Sequence, residues 1–188
     1  MGGETMTKET AASAAAQKRA EPNTAAIGKQ ISRENAPDSA IVQALQREVA
    51  NAFILYGNYK HYHWQTFGPL FRDLHLLFDE FAKEVLDTVD EFAERVRMIG
   101  QNPISAPLEV VDAASVKVAE RDVTMRAMVE EANRNLLVVI QEMREAARIA
   151  DEANDPGTND LFARTVQIHE KHEWWLRDIL KKHDGLTN

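Results

Sequence analysis

Glycine and proline fall at so few places in this chain that the intervals between them decide what it can fold into. From Asp38, which can cap a helix, the residues run without either to Tyr56, pass Gly57, and stop at Gly68-Pro69. A first long helix is predicted over 38–66. A second run goes from Arg72 to Gly100 and is closed by Asn102-Pro103, where proline lacks an amide hydrogen and restricts the residue before it. Residues 102–107 read as a loop, and Asp112 to Val118 as a short helix. A third long helix is expected from Arg121 to Ala150. Asp155-Pro156-Gly157 turns the chain, and Asn159 opens a last helix reaching about Lys182, with Gly185 just beyond. Four long helices, almost no alternation of strand type and one long connection predict an all-α four-helix bundle. The short extra helix sits in the crossover between the second and third long helices.

Apolar residues mark the faces turned inward. On the second helix they are Leu74, Phe78, Phe81, Val85, Phe92, Val96 and Ile99; on the last, Leu161, Thr165, Ile168, His172, Trp175 and Ile179. The first 36 residues differ: nine are alanine, larger apolar side chains are few, and five basic residues nearly cancel four glutamates. They read as a tail over 1–36, followed by one domain over 37–184 and a short end over 185–188. A DNA-binding arm is a weak reading of so neutral a tail.

Charge and cysteine content narrow the chemistry. A formal net charge of −8 opposes the approach of nucleic-acid phosphate. With no cysteine, disulfides, zinc-thiolate sites, iron–sulfur clusters and thiol nucleophiles are all excluded, so any metal must be held by His, Asp and Glu. No apolar run is long enough to span a membrane, and the first residues lack the order of a secretion signal, so a cytoplasmic protein is expected.

Such ligands cluster on the second helix. His75 and Asp79 lie one turn apart, as do Asp90 and Glu94, with His63 at the end of the first helix. All four helix residues fall within roughly 100° of arc, centred about 140° from the Leu74/Phe78/Phe92 stripe. They face away from the chain's own core. Asp79 and Asp90 are eleven residues apart, about 16 Å along the axis, whereas a metal ligand sits about 2 Å from its ion. One chain cannot close a single site from both pairs. Antiparallel two-fold pairing of this helix with its copy would set Asp90/Glu94 of one subunit opposite His75/Asp79 of the other, making two equivalent sites. Leu86, Ala82 and Ala93 would supply the apolar part of that contact. Imidazole and carboxylate without sulfur suit iron and admit zinc or manganese. On spacing alone, an acidic solvated face is the competing reading, because Glu80, Glu84, Asp87 and Glu91 lie on the same helix.

The wider pattern resembles the Dps family, the mini-ferritins of starved bacteria. The match runs from Asn58 to Pro69, with His63-Trp64, through Phe71 to Glu80, and through Asp87 to Arg95. A histidine, eleven intervening residues, a second histidine, an aspartate four on, then an aspartate and a glutamate eleven and fifteen residues later is the family pattern. His63, His75, Asp79, Asp90 and Glu94 fit it position by position. The resemblance covers about 38–183, including His169 to Trp174, and leaves the tail uncovered.

It implies a ferritin-like bundle assembled as a hollow homo-dodecamer with ferroxidase centres at its two-fold interfaces. His63, His75 and Asp79 would come from one subunit and Asp90 and Glu94 from its neighbour. Fe(II) would be oxidised there, with hydrogen peroxide preferred over oxygen, and ferric oxide stored inside as protection against oxidative stress. Trp64 resembles the family's aromatic residue near the centre. Asp155 and Asp160 fall where the family lines acidic pores, and Glu80 and Glu84 are nucleation candidates, although Leu76 departs from the family's acidic residue there. His61 lies about 200° from His63 and reads as surface. The pair His169 and His172 reads first as packing and second as an extra or outer metal site. An ordinary intra-bundle ferritin centre is disfavoured because no histidine has Glu three residues before it. A DNA-compacting, nucleoid-associated protein and a zinc-occupied shell with slow iron chemistry are the alternatives.

Overall fold

A computed structural model describes Ala25, Ala36 and residues 38–181. The chain divides into two units, Met1–Ile31 and Ser32–Asn188, and every helix below belongs to the second. Apart from Ala25 and Ala36, the expected tail lies outside the described residues, as does the segment 185–188.

Five helices are formed: α1 over Ala40–Gln65, α2 over Phe71–Met98, α3 over Pro107–Ala113, α4 over Met125–Glu152 and α5 over Pro156–Ile179. No strand occurs among the described residues. The four long helices pack as a bundle, α1 against α2 and α4, α5 against α4 and α2, with α3 in the crossover lying on α1. This is the expected all-α four-helix bundle with its extra short helix.

Local chemistry corrects several boundaries. Ser39, not Asp38, caps α1, its hydroxyl accepting the Val42 amide at 3.3 Å. Thr124 caps α4 through the Ala127 amide at 3.2 Å, so that helix starts four residues later than its run of helix formers. The Asp155-Pro156-Gly157 turn is itself the start of α5: Asp155 is the cap and Pro156 occupies the first turn, where its missing amide costs nothing. A Cβ at Gly157 would stand 3.0 Å from the Arg95 guanidinium, which would have to shift by a few tenths of an ångström to admit it.

The short helix is displaced. It covers Pro107–Ala113 rather than 112–118, since Pro107 starts it and residues 114–120 are held in non-helical backbone by buried side chains of α1 and α4. Asn51 accepts the Ser115 and Val116 amides at 2.8 and 3.3 Å. Asn58 donates to the Lys117 carbonyl at 2.7 Å and accepts the Ala119 amide at 2.8 Å. Asn135 pairs with both main-chain groups of Lys117, and Glu131 accepts the Glu120 amide. Five amides of the crossover and the Lys117 carbonyl thereby find partners without helix.

The α2 stripe is buried throughout, from Leu74 to Ile99. On α5 the buried set is Thr158, Leu161, Phe162, Thr165, His169, His172, Glu173 and Leu176, while Ile168 and Trp175, expected inside, are half-buried. Ile179, expected inside, is 38% exposed because the inward face drifts by the time the last turn is reached.

Candidate metal centre

The end of α1 and the start of α2 are joined by a short turn through Gly68, whose φ of 78° suits a residue without a Cβ. That turn brings His63 and His75 face to face, with ring centroids 3.7 Å apart and planes inclined by 21°. Their Nδ1 atoms bond crosswise. His63 donates from Nδ1 to the His75 carbonyl at 2.6 Å, and His75 donates from Nδ1 to the His63 carbonyl at 2.9 Å. A carbonyl can only accept, so both Nδ1 atoms carry hydrogen, and in the neutral rings both Nε2 atoms keep a lone pair for a ligand. Thr66 adds a third bond to the same turn, donating to the His63 carbonyl at 3.0 Å.

Asp79, one turn past His75, is held by two ammonium groups: Lys60 on α1 and Lys83 on α2, each at 2.7 Å. The hydrogen bond from Lys60, then that from Lys83, holds its carboxyl well below the ordinary carboxylate range. It is ionised at any physiological pH. Lys60 also lies 5.9 Å from the centroid of Trp64, which is 67% exposed. Neither lysine figures in the sequence reading, although Asp79/Lys83 is a readable i, i+4 pair.

Asp90 and Glu94 sit further along α2, both exposed, with no hydrogen bond or ion pair among the described residues. No three His, Asp or Glu side chains of the described residues are placed to hold one ion within a single chain. Around the polar stripe lie exposed apolar side chains, Leu70, Phe71, Leu76 and Leu86 among them. Ala82, expected to serve that contact, is already buried in its own chain, while Leu86 is 42% exposed and Ala93 half-buried.

The remaining candidates are scattered. Glu80 is exposed and unpaired. Glu84 is taken by Lys171 at 2.6 Å and His172 Nε2 at 2.7 Å. Burial works against its charge, but these two partners outweigh it and hold its carboxyl below the usual range. Asp155 caps α5 through the Thr158 amide and hydroxyl, at 3.1 and 2.6 Å, and meets Arg95 at 2.6 Å, so its charge is answered inside the subunit. Asp160 is exposed and unpaired. His61 is half-buried against Tyr62, apart from the facing histidines. His169 and His172 are buried in the core of the bundle.

Known proteins share this fold. The model of the ferritin-like domain matches residues 42–186. The DNA protection during starvation protein 1 of Deinococcus radiodurans is 36% identical over 141 residues, 74% of this chain and 68% of that protein. The crystal structure of Dps from Thermosynechococcus elongatus superimposes with a TM-score of 0.76 at 47% identity, covering 79% of this chain and 94% of the other. This chain belongs to the Dps family of ferritin-like proteins. A Dps protein of Vibrio cholerae, described as a member of a broad superfamily of ferritin-like diiron-carboxylate proteins, matches at 27% identity over 75% of this chain and 89% of its own, with a TM-score of 0.71. No helix of the described residues is long and apolar enough to cross a membrane.

Proposed function

We propose that this Dps-family chain is a cytoplasmic ferroxidase and iron store whose oxidation centre is shared between two subunits. The observation that carries the reading is the His63/His75 pair. Two imidazoles locked with both Nε2 atoms free form half of a metal site, and the unpaired Asp90 and Glu94 are the other half, too far along α2 to be reached within one chain. Exposed apolar side chains beside the stripe favour its burial against a second copy.

In this reading His63, His75 and Asp79 of one subunit bind Fe(II) together with Asp90 and Glu94 of its two-fold neighbour, within a dodecameric shell. Asp79 has to turn from Lys60 and Lys83 to the ion, and the two ammonium groups keep the carboxylate charged until it does. Two Fe(II) each give one electron to hydrogen peroxide. The O–O bond breaks, two protons are taken up, and two Fe(III) and two waters result. Because both electrons arrive together, no hydroxyl radical is released. Peroxide is the preferred acceptor and oxygen the slower one; ferric oxide collects in the cavity, nucleated near Glu80. Since Arg95 neutralises Asp155, cation entry falls to Asp160. Zinc, which takes the same donors, would compete with iron.

Anaerobic Fe(II) loading followed by peroxide, on wild type and Asp79→Ala, with size measured by sedimentation, tests this. A dodecamer whose oxidation is lost in the variant is expected; equal rates, or a monomer, would overturn it.

A further inference from the structure

His169 and His172 face a different part of the molecule. Both lie on the inner side of α5, at 1% and 0% exposure, and His172 packs against α1 and α2. Phe81 stacks on the His172 ring at 3.7 Å and Tyr59 meets it edge-on at 6.2 Å. The outer nitrogen of His172, Nε2, is bonded to Glu84 at 2.7 Å, and Lys171 holds the same carboxylate at 2.6 Å. An ionised Glu84 accepts only, so Nε2 carries the hydrogen and Nδ1 keeps its lone pair.

That Nδ1 is buried and unpartnered. So are both nitrogens of His169 and the hydroxyl of Tyr59. Four orphaned polar atoms among stacked rings are costly unless something absent from the chain completes them. Their chemistry is selective. A carboxylate bound to the far nitrogen of an imidazole is the arrangement that fixes a metal-binding histidine and raises its basicity. Burial, then the neighbouring His172, lowers His169 to about 3, and burial lowers His172 to about 4, so protons do not compete for either ring near neutrality. The ring centroids are 6.1 Å apart at 82°; two imidazoles on one tetrahedral ion, with metal–nitrogen bonds of about 2.0–2.1 Å, place their centroids roughly 5 Å apart, so the rings close by about 1 Å on binding.

We infer that His169 and His172 form a second metal site, inside the bundle and separate from the interface centre, for a nitrogen-seeking transition ion such as zinc. Glu84 orients His172, and the Tyr59 hydroxyl or a water completes the shell, because no third histidine or carboxylate of the described residues converges there. Neutral nitrogen donors favour zinc over Fe(III), which prefers oxygen. The half-exposed Glu84/Lys171 pair marks the route in.

The test uses the full chain with the interface centre removed by His63→Ala, Asp79→Ala and Glu94→Ala, loaded with zinc, dialysed and measured for bound metal and by X-ray absorption at the zinc edge. About one zinc per chain with two imidazoles in its shell is expected, and adding Glu84→Gln, which leaves both rings in place, weakens binding about 10–100-fold. Absence of retained zinc, zinc lacking imidazole ligands, or affinity unchanged by Glu84→Gln would each overturn the site.

Discussion

His63 and His75 each donate their Nδ1 hydrogen to the other's main-chain carbonyl, at 2.6 and 2.9 Å, and their rings stack with centroids 3.7 Å apart, so each ring is packed against the other. Their effects on metal binding are therefore coupled. His63→Ala and His75→Ala are each expected to lower the rate of peroxide-driven iron oxidation by at least about tenfold, and the double variant to lose far less than the product of the two. A double-mutant cycle on initial rates measures this; strictly multiplicative losses would show two independent ligands.

The lysines on Asp79 oppose an incoming cation. Lys60→Met should tighten zinc binding at the interface by roughly tenfold, and Lys83→Met by only about two- to threefold, because the Lys83 side chain is 74% exposed and solvent already screens its pair. Calorimetric titration of zinc, read with the initial oxidation rate, distinguishes this from loss of a ligand, which would weaken binding.

Glu48 on α1 supplies a pH dependence of a different kind. Burial, and then the neighbouring Glu142, raises its carboxyl from 4.5 to about 8. Asn51 bonds both carboxylates, at 3.3 and 3.0 Å, while holding the crossover. The folded chain thus keeps a proton that the unfolded chain gives up above pH 4.5. Stability from this group is full below pH 4.5 and falls steadily until about pH 8, after which it is flat. Glu48→Gln should raise stability at pH 7 by about 2–3 kcal/mol and flatten the slope across that window, as measured by denaturant unfolding at several pH values.

Much of this was legible in the sequence, and the misses share a cause. The four long helices follow from breaker spacing, and the outward turn of His75, Asp79, Asp90 and Glu94 follows from the 3.6-residue period, because both are properties of one helix. The course of 114–120 is not, since it depends on Asn51, Asn58 and Asn135 reaching from two other helices. The spacing of Asn51 and Asn58, seven residues apart on a buried face, was the available signal. Lys60 on Asp79 and Arg95 on Asp155 were hidden likewise: their partners are distant in sequence and meet only after packing.

Arg95 also separates the two acidic candidates at the α4–α5 turn. Asp155→Asn should cost about 1–3 kcal/mol of stability, because it leaves Arg95 and the α5 cap incompletely paired, while barely changing the rate of iron uptake. Asp160→Asn should slow uptake and leave stability nearly unchanged. Urea unfolding and stopped-flow iron entry, measured on both variants, would expose a reversed assignment.

In the proposed assembly each oxidation centre takes His63, His75 and Asp79 from one subunit and Asp90 and Glu94 from another. Co-expression of an Asp79→Ala chain with an Asp90→Ala/Glu94→Ala chain, each inactive alone, tests it most directly. In a mixed pair one of the two interface sites draws only on intact residues, so a random mixture should recover about a quarter of the wild-type rate. A mixture no more active than its two parents would mean that the centre is built within a single chain.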